Sequence, residues 1–304
     1  MARFLVLFLF AGLLFPGMIR GNPSPSILRI ASFNLKWFVA SASENDKAPW
    51  RDEAQLETHR RDIARILAKD VHADVVCVLE STSRLALEKL VAEPELKPMG
   101  YRIYHLESGD FSTGQDAAFL VRVPLDRIEG REVNDFPRAR RDPLTKRAVI
   151  FLTIGKLKLG ILGMHLLAHP DDVYRNRRRL AQAKVAARLI REEIVARGYT
   201  PVVLGDLNDF DNRKAIHVIK DFDTKHPGDE LFNAAERLPP AERYSAYWDL
   251  NKNERRDSGE PVSLIDHILL DRSLSSRLRS MEILHSAQDG SVSDHWPLVV
   301  ELKQ

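Results

Sequence analysis

Apolar residues run unbroken along several short segments of this chain, and polar residues interrupt them at their ends. The segments 74–80 and 297–302 are the plainest cases, with β-branched and aliphatic residues that do not alternate with polar ones. Such runs mark strands buried on both faces. Similar patterns predict strands at 27–35, 101–106, 117–123, 148–154, 160–165, 202–206 and 264–270. Two stretches keep helical spacing instead. In 55–69, Leu56, Ile63, Ile66 and Leu67 share one face while His59, Arg60 and Arg61 fall outside it. A second helix covers about 176–196 and closes at Gly198, which takes the left-handed conformation of a helix end. The polar stretch 223–261 reads as loops around a short strand at 244–248. Many strands with few helices, and no internal repeat, predict an α/β domain of two packed sheets with helices outside.

The first 21 residues differ in kind. A short positive start with Arg3 precedes twelve uncharged, mostly large apolar residues from Phe4 to Phe15, and Pro16-Gly17 ends the run. That is the form of a secretory signal peptide, short of the roughly 20 residues of a membrane span. The expected division is a signal peptide at 1–21, a spacer at 22–26 and one domain at 27–304, with a secreted or periplasmic location. An uncleaved membrane anchor is the alternative reading. The single cysteine, Cys77, lies inside an apolar run, so no intramolecular disulfide forms and a buried thiol is expected. A large core without disulfides suits a bacterial envelope or secreted protein.

Charge adds little globally. The net charge of +2 includes Arg3 and Arg20, and the remainder holds 43 basic and 43 acidic residues. Locally, 137–147 carries five basic residues (Arg138, Arg140, Arg141, Lys146, Arg147) against one acid, and Arg175, Arg177, Arg178 and Arg179 crowd a helix start. Such runs are ordinarily solvated faces, but these two adjoin strand ends that carry candidate chemistry.

Those ends form a pattern. Asn34, Glu80, His165, Asp206 with Asn208, Asp266, and Asp294 with His295 sit at six separate strand ends, none of which presents Lys, Ser or Thr. Ends of neighbouring strands converge in space, so the set reads as one acidic, histidine-containing pocket. Carboxylates and amide oxygens without clustered Cys or His suit a hard cation, Mg²⁺, Mn²⁺ or Ca²⁺, rather than Zn²⁺. No Gly-x-Ser-x-Gly elbow and no glycine-rich phosphate loop followed by Lys is present, which removes the common serine-hydrolase and nucleoside-triphosphatase readings. A hard metal, a His–Asp pair and nearby arginines are what hydrolysis of a phosphate ester needs.

The ordered motifs Phe33-Asn34-Leu35-Lys36-Trp37, Val76-Cys77-Val78-Leu79-Glu80, Gly163-Met164-His165-Leu166, Gly205-Asp206-Leu207-Asn208, Leu264-Ile265-Asp266-His267 and Ser293-Asp294-His295-Trp296-Pro297 resemble the endonuclease/exonuclease/phosphatase superfamily with the DNase I-like fold. The match spans about 27–304; the Gly-Asp-x-Asn and Ser-Asp-His-x-Pro motifs are its specific parts. The resemblance implies a four-layer α/β/β/α sandwich with a divalent-metal site, Mg²⁺ first, held by Asn34 and Glu80 with Asp294 nearby. It further implies that Asp206 aligns water and that Asn208 holds the attacked phosphate. His295 would contact phosphate with Asp266 orienting it, His165 would be the second histidine, and Arg147 would bind phosphate with Arg140 and Arg141 beside it. Two departures stand out. Leu79 replaces the glutamine usual before the metal glutamate, and no tyrosine precedes the strand at 117–123, leaving Gln115 or Asp116 as candidate partners of His165.

The leading expectation is a metal-dependent phosphodiester hydrolase, a nuclease on DNA or RNA, acting as a monomer without a stable protein partner. The alternatives are a sphingomyelinase-like lipid phosphodiesterase binding a lipid head group, a phosphomonoesterase, and, more distantly, a non-catalytic binding domain. The aromatic residues Tyr244, Tyr247 and Trp248 are expected in the core.

Overall fold

The continuous apolar strands divide their side chains between two faces, and this division sets the layers. The computed structural model describes residues 27–110, 112–123, 143–223, 225 and 231–304. The predicted leader and spacer, and Arg138, Arg140 and Arg141, lie outside the described residues.

The first sheet contains β1 (Ile27–Phe38), β2 (Val75–Ser81), β3 (Arg102–His105), β4 (Asp116–Val121), β12 (Leu278–Ile283) and β13 (Leu298–Lys303), in the order β12-β13-β1-β2-β4-β3. The second contains β5 (Arg147–Ile154), β6 (Leu157–Met164), β7 (Thr200–Asp206), β8 (Leu231–Asn233) and β11 (Asp266–Asp271), in the order β5-β6-β7-β11-β8. A small hairpin, β9 (Ala246–Tyr247) and β10 (Val262–Ser263), stands beside them.

One face of each sheet meets the other: Leu28, Ile30, Cys77, Leu79 and Phe119 pack with Ile150, Ile161, Val202, Leu204 and Ile268. The alternate residues Phe33, Leu35, Val76 and Val78 pack against α1 (Glu53–Arg65) and α2 (Arg84–Val91). Val149, Phe151, Leu162 and Val203 do the same against α3 (Val173–Leu189) and α4 (Lys214–Lys220). The layers are therefore α/β/β/α, as expected. Cys77 is buried between the sheets, and burial pushes its thiol pKa up.

Local chemistry sets the helix ends. Asp52, Ser83 and Asp172 accept backbone N–H groups at the starts of α1, α2 and α3. Past α3 the chain continues through one wider and one tighter turn, and Gly198 stops it at φ 75°. The sequence pattern missed α2, α4, β8, β10 and β12. The helices are short, and β12 is an edge strand with only Met281 and Ile283 buried, too few for a periodic signal. Among the described residues no helix is long and apolar enough to cross a membrane.

His59 corrects one expectation. It lies outside the stripe in sequence yet is buried, because its ring stacks on Trp50 at 4.2 Å and its Nε2 lies 2.9 Å from the Leu35 carbonyl. Burial lowers its pKa to about 3, outweighing that hydrogen bond. A histidine depressed in the folded state favours folding fully above about pH 6.5, its unfolded value, and that contribution is lost as pH falls from there toward 3. The His59 ring resonances should therefore stay constant between about pH 8 and 5 in an NMR titration. A midpoint near 6.5 would contradict the buried, neutral ring.

Candidate active site

Strand pairing brings the polar ends to one edge of the sandwich. Parallel β1 and β2 place Asn34 beside Leu79, antiparallel β7 and β11 place Asp206 opposite Asp266, and a bridge joins Ala246 to His295. The Ser293 hydroxyl donates to the Asn34 carbonyl at 2.8 Å, which ties the segment before β13 to β1.

Asn34 Nδ2 donates to Glu80 Oε1 at 3.0 Å and to Asp206 Oδ2 at 3.2 Å, joining the two sheets directly. Glu80 Oε2 accepts from the Trp37 backbone at 2.9 Å and from Gln115 Nε2 at 2.8 Å. Asp206 Oδ1 accepts the Asn208 backbone N–H at 2.9 Å, and Asn208 Nδ2 donates to the Leu166 carbonyl at 3.1 Å. His295 Nδ1 is 2.7 Å from Asp266 Oδ2, and the other ring nitrogen lies 3.7 Å from Asp206 Oδ2. Ser245 adds a donor to Asp266 Oδ2 at 2.8 Å. His165 Nε2 stands 3.5 Å from the same Asp206 oxygen.

The backbone is bent to make this possible. Lys36, Trp37, Glu80 and Asn208 all adopt φ between 48° and 64°, the left-handed region that costs a non-glycine residue of order 1–3 kcal/mol. At Glu80 the pairing of β2 with β4 also slips, so its side chain leaves the strand ladder and turns into the site. Gly205 is required on steric grounds: a Cβ there would lie 2.0 Å from the Met164 carbonyl oxygen.

The electrostatics are dominated by buried carboxylates. Burial raises the pKa of Glu80, and Asp294 adds to it. Burial, then Asp266 and Glu80, raise that of Asp206 to about 8. Burial alone would depress His295, but Asp266 and Asp206 together hold it well above 6.5, so the ring is an imidazolium at neutral pH. His165 is the opposite case. Burial, Lys146 and His295 push it well below 6.5, so it is neutral.

Carboxylates raised by burial in this way ionise fully only when further positive charge joins them, and a divalent cation fits that need. Among the described residues Asp206, Asp266 and His295 bring ligand atoms within 4.8 Å of one another. His295 Nδ1 is already engaged by Asp266 at 2.7 Å, however, and an imidazole nitrogen suits a hard cation less well than a carboxylate oxygen does. The oxygens of Glu80 and Asp294 fit a hard cation better. Asn34 presents its NH₂ group to the carboxylates while its Oδ1 accepts from the Lys36 N–H, so ligation by that oxygen requires the amide to turn.

The structure thus gathers Asn34, Glu80, His165, Asp206, Asn208, Asp266 and His295, with Asp294 beside them. Other expectations are corrected. Gln115 bonds Glu80, and Asp116 bonds His105 at 2.6 Å, so neither partners His165, whose Nδ1 has no hydrogen bond among the described residues. Arg147 starts β5 opposite Met164, the residue before His165; it is buried, and its Nη1 donates to the Leu144 carbonyl. Arg179 is no solvated charge either. It is fully buried, and its Nη1 reaches the carbonyls of Leu167, Ala168 and His169 at 2.7, 3.2 and 3.1 Å.

Arg179 Nε also lies 3.5 Å from Asp209, so one guanidinium ties the loop after His165 to the loop after Asp206. Removing one partner of such a buried pair costs about 3–5 kcal/mol. Arg179→Met should lower stability by about that amount in a denaturant titration, and loops 166–172 and 207–213 should exchange amide protons faster. A loss confined to surface-pair size, under about 1 kcal/mol, would contradict the clamp.

Comparison with known proteins agrees with this geometry. The sequence model described as "Endonuclease/Exonuclease/phosphatase family" matches residues 31–295. No curated protein matches in sequence. Among solved structures, D. rerio TDP2 complexed with a single-strand DNA product is similar at 18% identity and TM-score 0.61, covering 92% of this chain and 100% of that one. An AP endonuclease from Archaeoglobus fulgidus is similar at 15% identity and TM-score 0.60, covering 91% of this chain and 100% of that one. The human Nocturnin catalytic domain with bound sulfate is similar at 16% identity and TM-score 0.58, covering 91% of this chain and 94% of that one. At these identities the likeness is one of fold; the family match across residues 31–295 shows that this chain belongs to the Endonuclease/Exonuclease/phosphatase family.

Proposed function

We propose that this protein is an exported, metal-dependent phosphodiesterase that cleaves nucleic acid. The observation that carries this reading is the buried chain Asp266–His295–Asp206 facing the Glu80 carboxylate. Asp266 holds Nδ1 of His295 and stabilises its charge, so the other ring nitrogen can donate to a non-bridging phosphate oxygen. Asp206, anchored by the Asn208 N–H, aligns a water for attack on phosphorus and in its ionised form accepts the water's proton. The bond from phosphorus to the departing ester oxygen breaks, and that oxygen leaves as an alcohol protonated from solvent. Glu80, Asn34 and Asp294 would hold a Mg²⁺ or Mn²⁺ ion, which supplies charge neutralisation on the phosphate. Neutral His165 adds a polar contact beside Asp206 without adding positive charge.

A nucleic-acid substrate is supported by the DNA product described for the TDP2 relative and by Arg177 and Arg178, exposed at the start of α3. Export is supported by the apolar segment Phe4 to Phe15.

One observation favours the lipid phosphodiesterase as a second reading. Tyr247 is buried as expected, but Trp248 is 57% exposed, with Leu250 at 62% and Val262 at 39% on the same hairpin. Incubating the purified protein with plasmid, RNA, sphingomyelin and inositol phosphate, in Mg²⁺ and in EDTA, separates the two. Nucleic acid should be cut in Mg²⁺ and spared in EDTA. Cleavage of sphingomyelin alone would establish the second reading, and full activity in EDTA would remove the metal from the mechanism.

Loss of one preorganised donor costs about 10²–10³ in rate. His295→Ala should lose at least that in kcat, Asp266→Asn somewhat less, and the double variant little more than His295→Ala, because the pair acts as a unit. Near-wild-type turnover by folded His295→Ala would overturn the assignment.

A further inference from the structure

Glu80 is the carboxylate least constrained by its own strand. Its backbone lies at φ 64°, outside the regular ladder, so groups from elsewhere must fix its side chain. Position 79 cannot do so, because Leu79 points into the core between the sheets. The register of β2 with β4 slips between Leu79 and Ser81, which pair with Ala117 and Asp116, and Gln115, just before β4, reaches back to Glu80 with its side chain. Gln115 is buried at 3% exposure, and its Nε2 is 2.8 Å from Glu80 Oε2. Its Oε1 accepts from Lys146 Nζ at 2.8 Å, and Lys146 pairs with Asp110 at 3.2 Å.

Resting on the reading of Glu80 as a metal ligand, we propose that Gln115 and Lys146 are positioning residues: the Gln115 amide, oriented by the Lys146 ammonium, sets the Glu80 carboxylate for the ion. The amide has one workable orientation. An ammonium only donates and a carboxylate only accepts, so a flipped amide would face donor to donor and acceptor to acceptor. The ammonium polarises the amide and strengthens its donation to Glu80. With Oε2 held by Gln115 and by the Trp37 N–H, Oε1 is left to the Asn34 amide, on the side that faces Asp206.

Lys146 reaches further. Its carbonyl accepts the His165 N–H at 3.0 Å, so one residue anchors the second histidine through its backbone and the metal carboxylate through its side chain. This assigns the inner end of the basic run 137–147 to holding the site together rather than to contacting substrate, since the Lys146 side chain is only 15% exposed.

The test is calorimetric titration of Mn²⁺ into the full-length protein, without substrate, alongside kinetics. Groups that orient metal ligands are worth about 10–100-fold in affinity. Gln115→Leu should weaken Mn²⁺ binding by that factor, while kcat at saturating Mn²⁺ falls less than the affinity does. Lys146→Met should weaken it by a smaller factor, Lys146→Arg should largely restore it, and the double variant should bind no worse than Gln115→Leu alone. Wild-type Mn²⁺ affinity in folded Gln115→Leu overturns the positioning role. Should Gln115→Leu not fold, wild-type affinity in Lys146→Met overturns it equally. Glu80→Gln separates the two levels. If it loses the ion while Gln115→Leu keeps it, only the positioning role falls; if it too binds as wild type, the metal assignment falls and this inference with it.

Discussion

Negative charge buried where strands from two sheets end is the constraint on which the rest depends. Glu80, Asp206 and Asp266 lie within one hydrogen-bonded network, and burial raises the proton affinity of Glu80 and Asp206. Such a group of anions persists only if cations or oriented donors surround it. The protein supplies one imidazolium, His295, together with the amides of Asn34 and Gln115 and backbone N–H groups from Trp37 and Asn208. On the proposed reading a divalent ion supplies the remainder, and the same charge that binds it then acts on the phosphate.

Holding this network costs backbone strain, and the scaffold offsets it. Left-handed residues at Lys36, Trp37, Glu80 and Asn208 are kept in place by three apolar cores and by buried polar ties. Arg179 clamps two site loops, Ser293 links β1 to the segment before β13, and Ser245 fixes Asp266. The two histidines diverge for a simple reason. Among the described residues His295 faces two carboxylates, whereas His165 faces Asp206 and lies near the Lys146 ammonium.

The strands that build the site were legible in sequence because they are buried on both faces and therefore continuously apolar. The polar residues ending them stood out against that background, which is why Asn34, Glu80, His165, Asp206, Asp266 and His295 could be named together. What escaped was set by register rather than by local pattern. Gln115 sits among Ser, Thr, Gly and Asp, and nothing in that stretch says that β4 will present it to Glu80. Ser245 lies in a polar loop, and Arg179 looked like one more charge on a helix start until the fold enclosed it. The polar alternation around Tyr244, Tyr247 and Trp248 reads as an inner strand, yet Trp248 is exposed directly after β9.

On the proposed reading an ion at Glu80, and not one between Asp266 and His295, matches the charge of this pocket. Crystals of the protein grown with Mn²⁺ test it directly through anomalous scattering. A single strong peak is expected against the carboxylates of Glu80 and Asp294, with the His295–Asp266 hydrogen bond intact. A peak coordinated by Asp266 and His295, with Glu80 unoccupied, would contradict it.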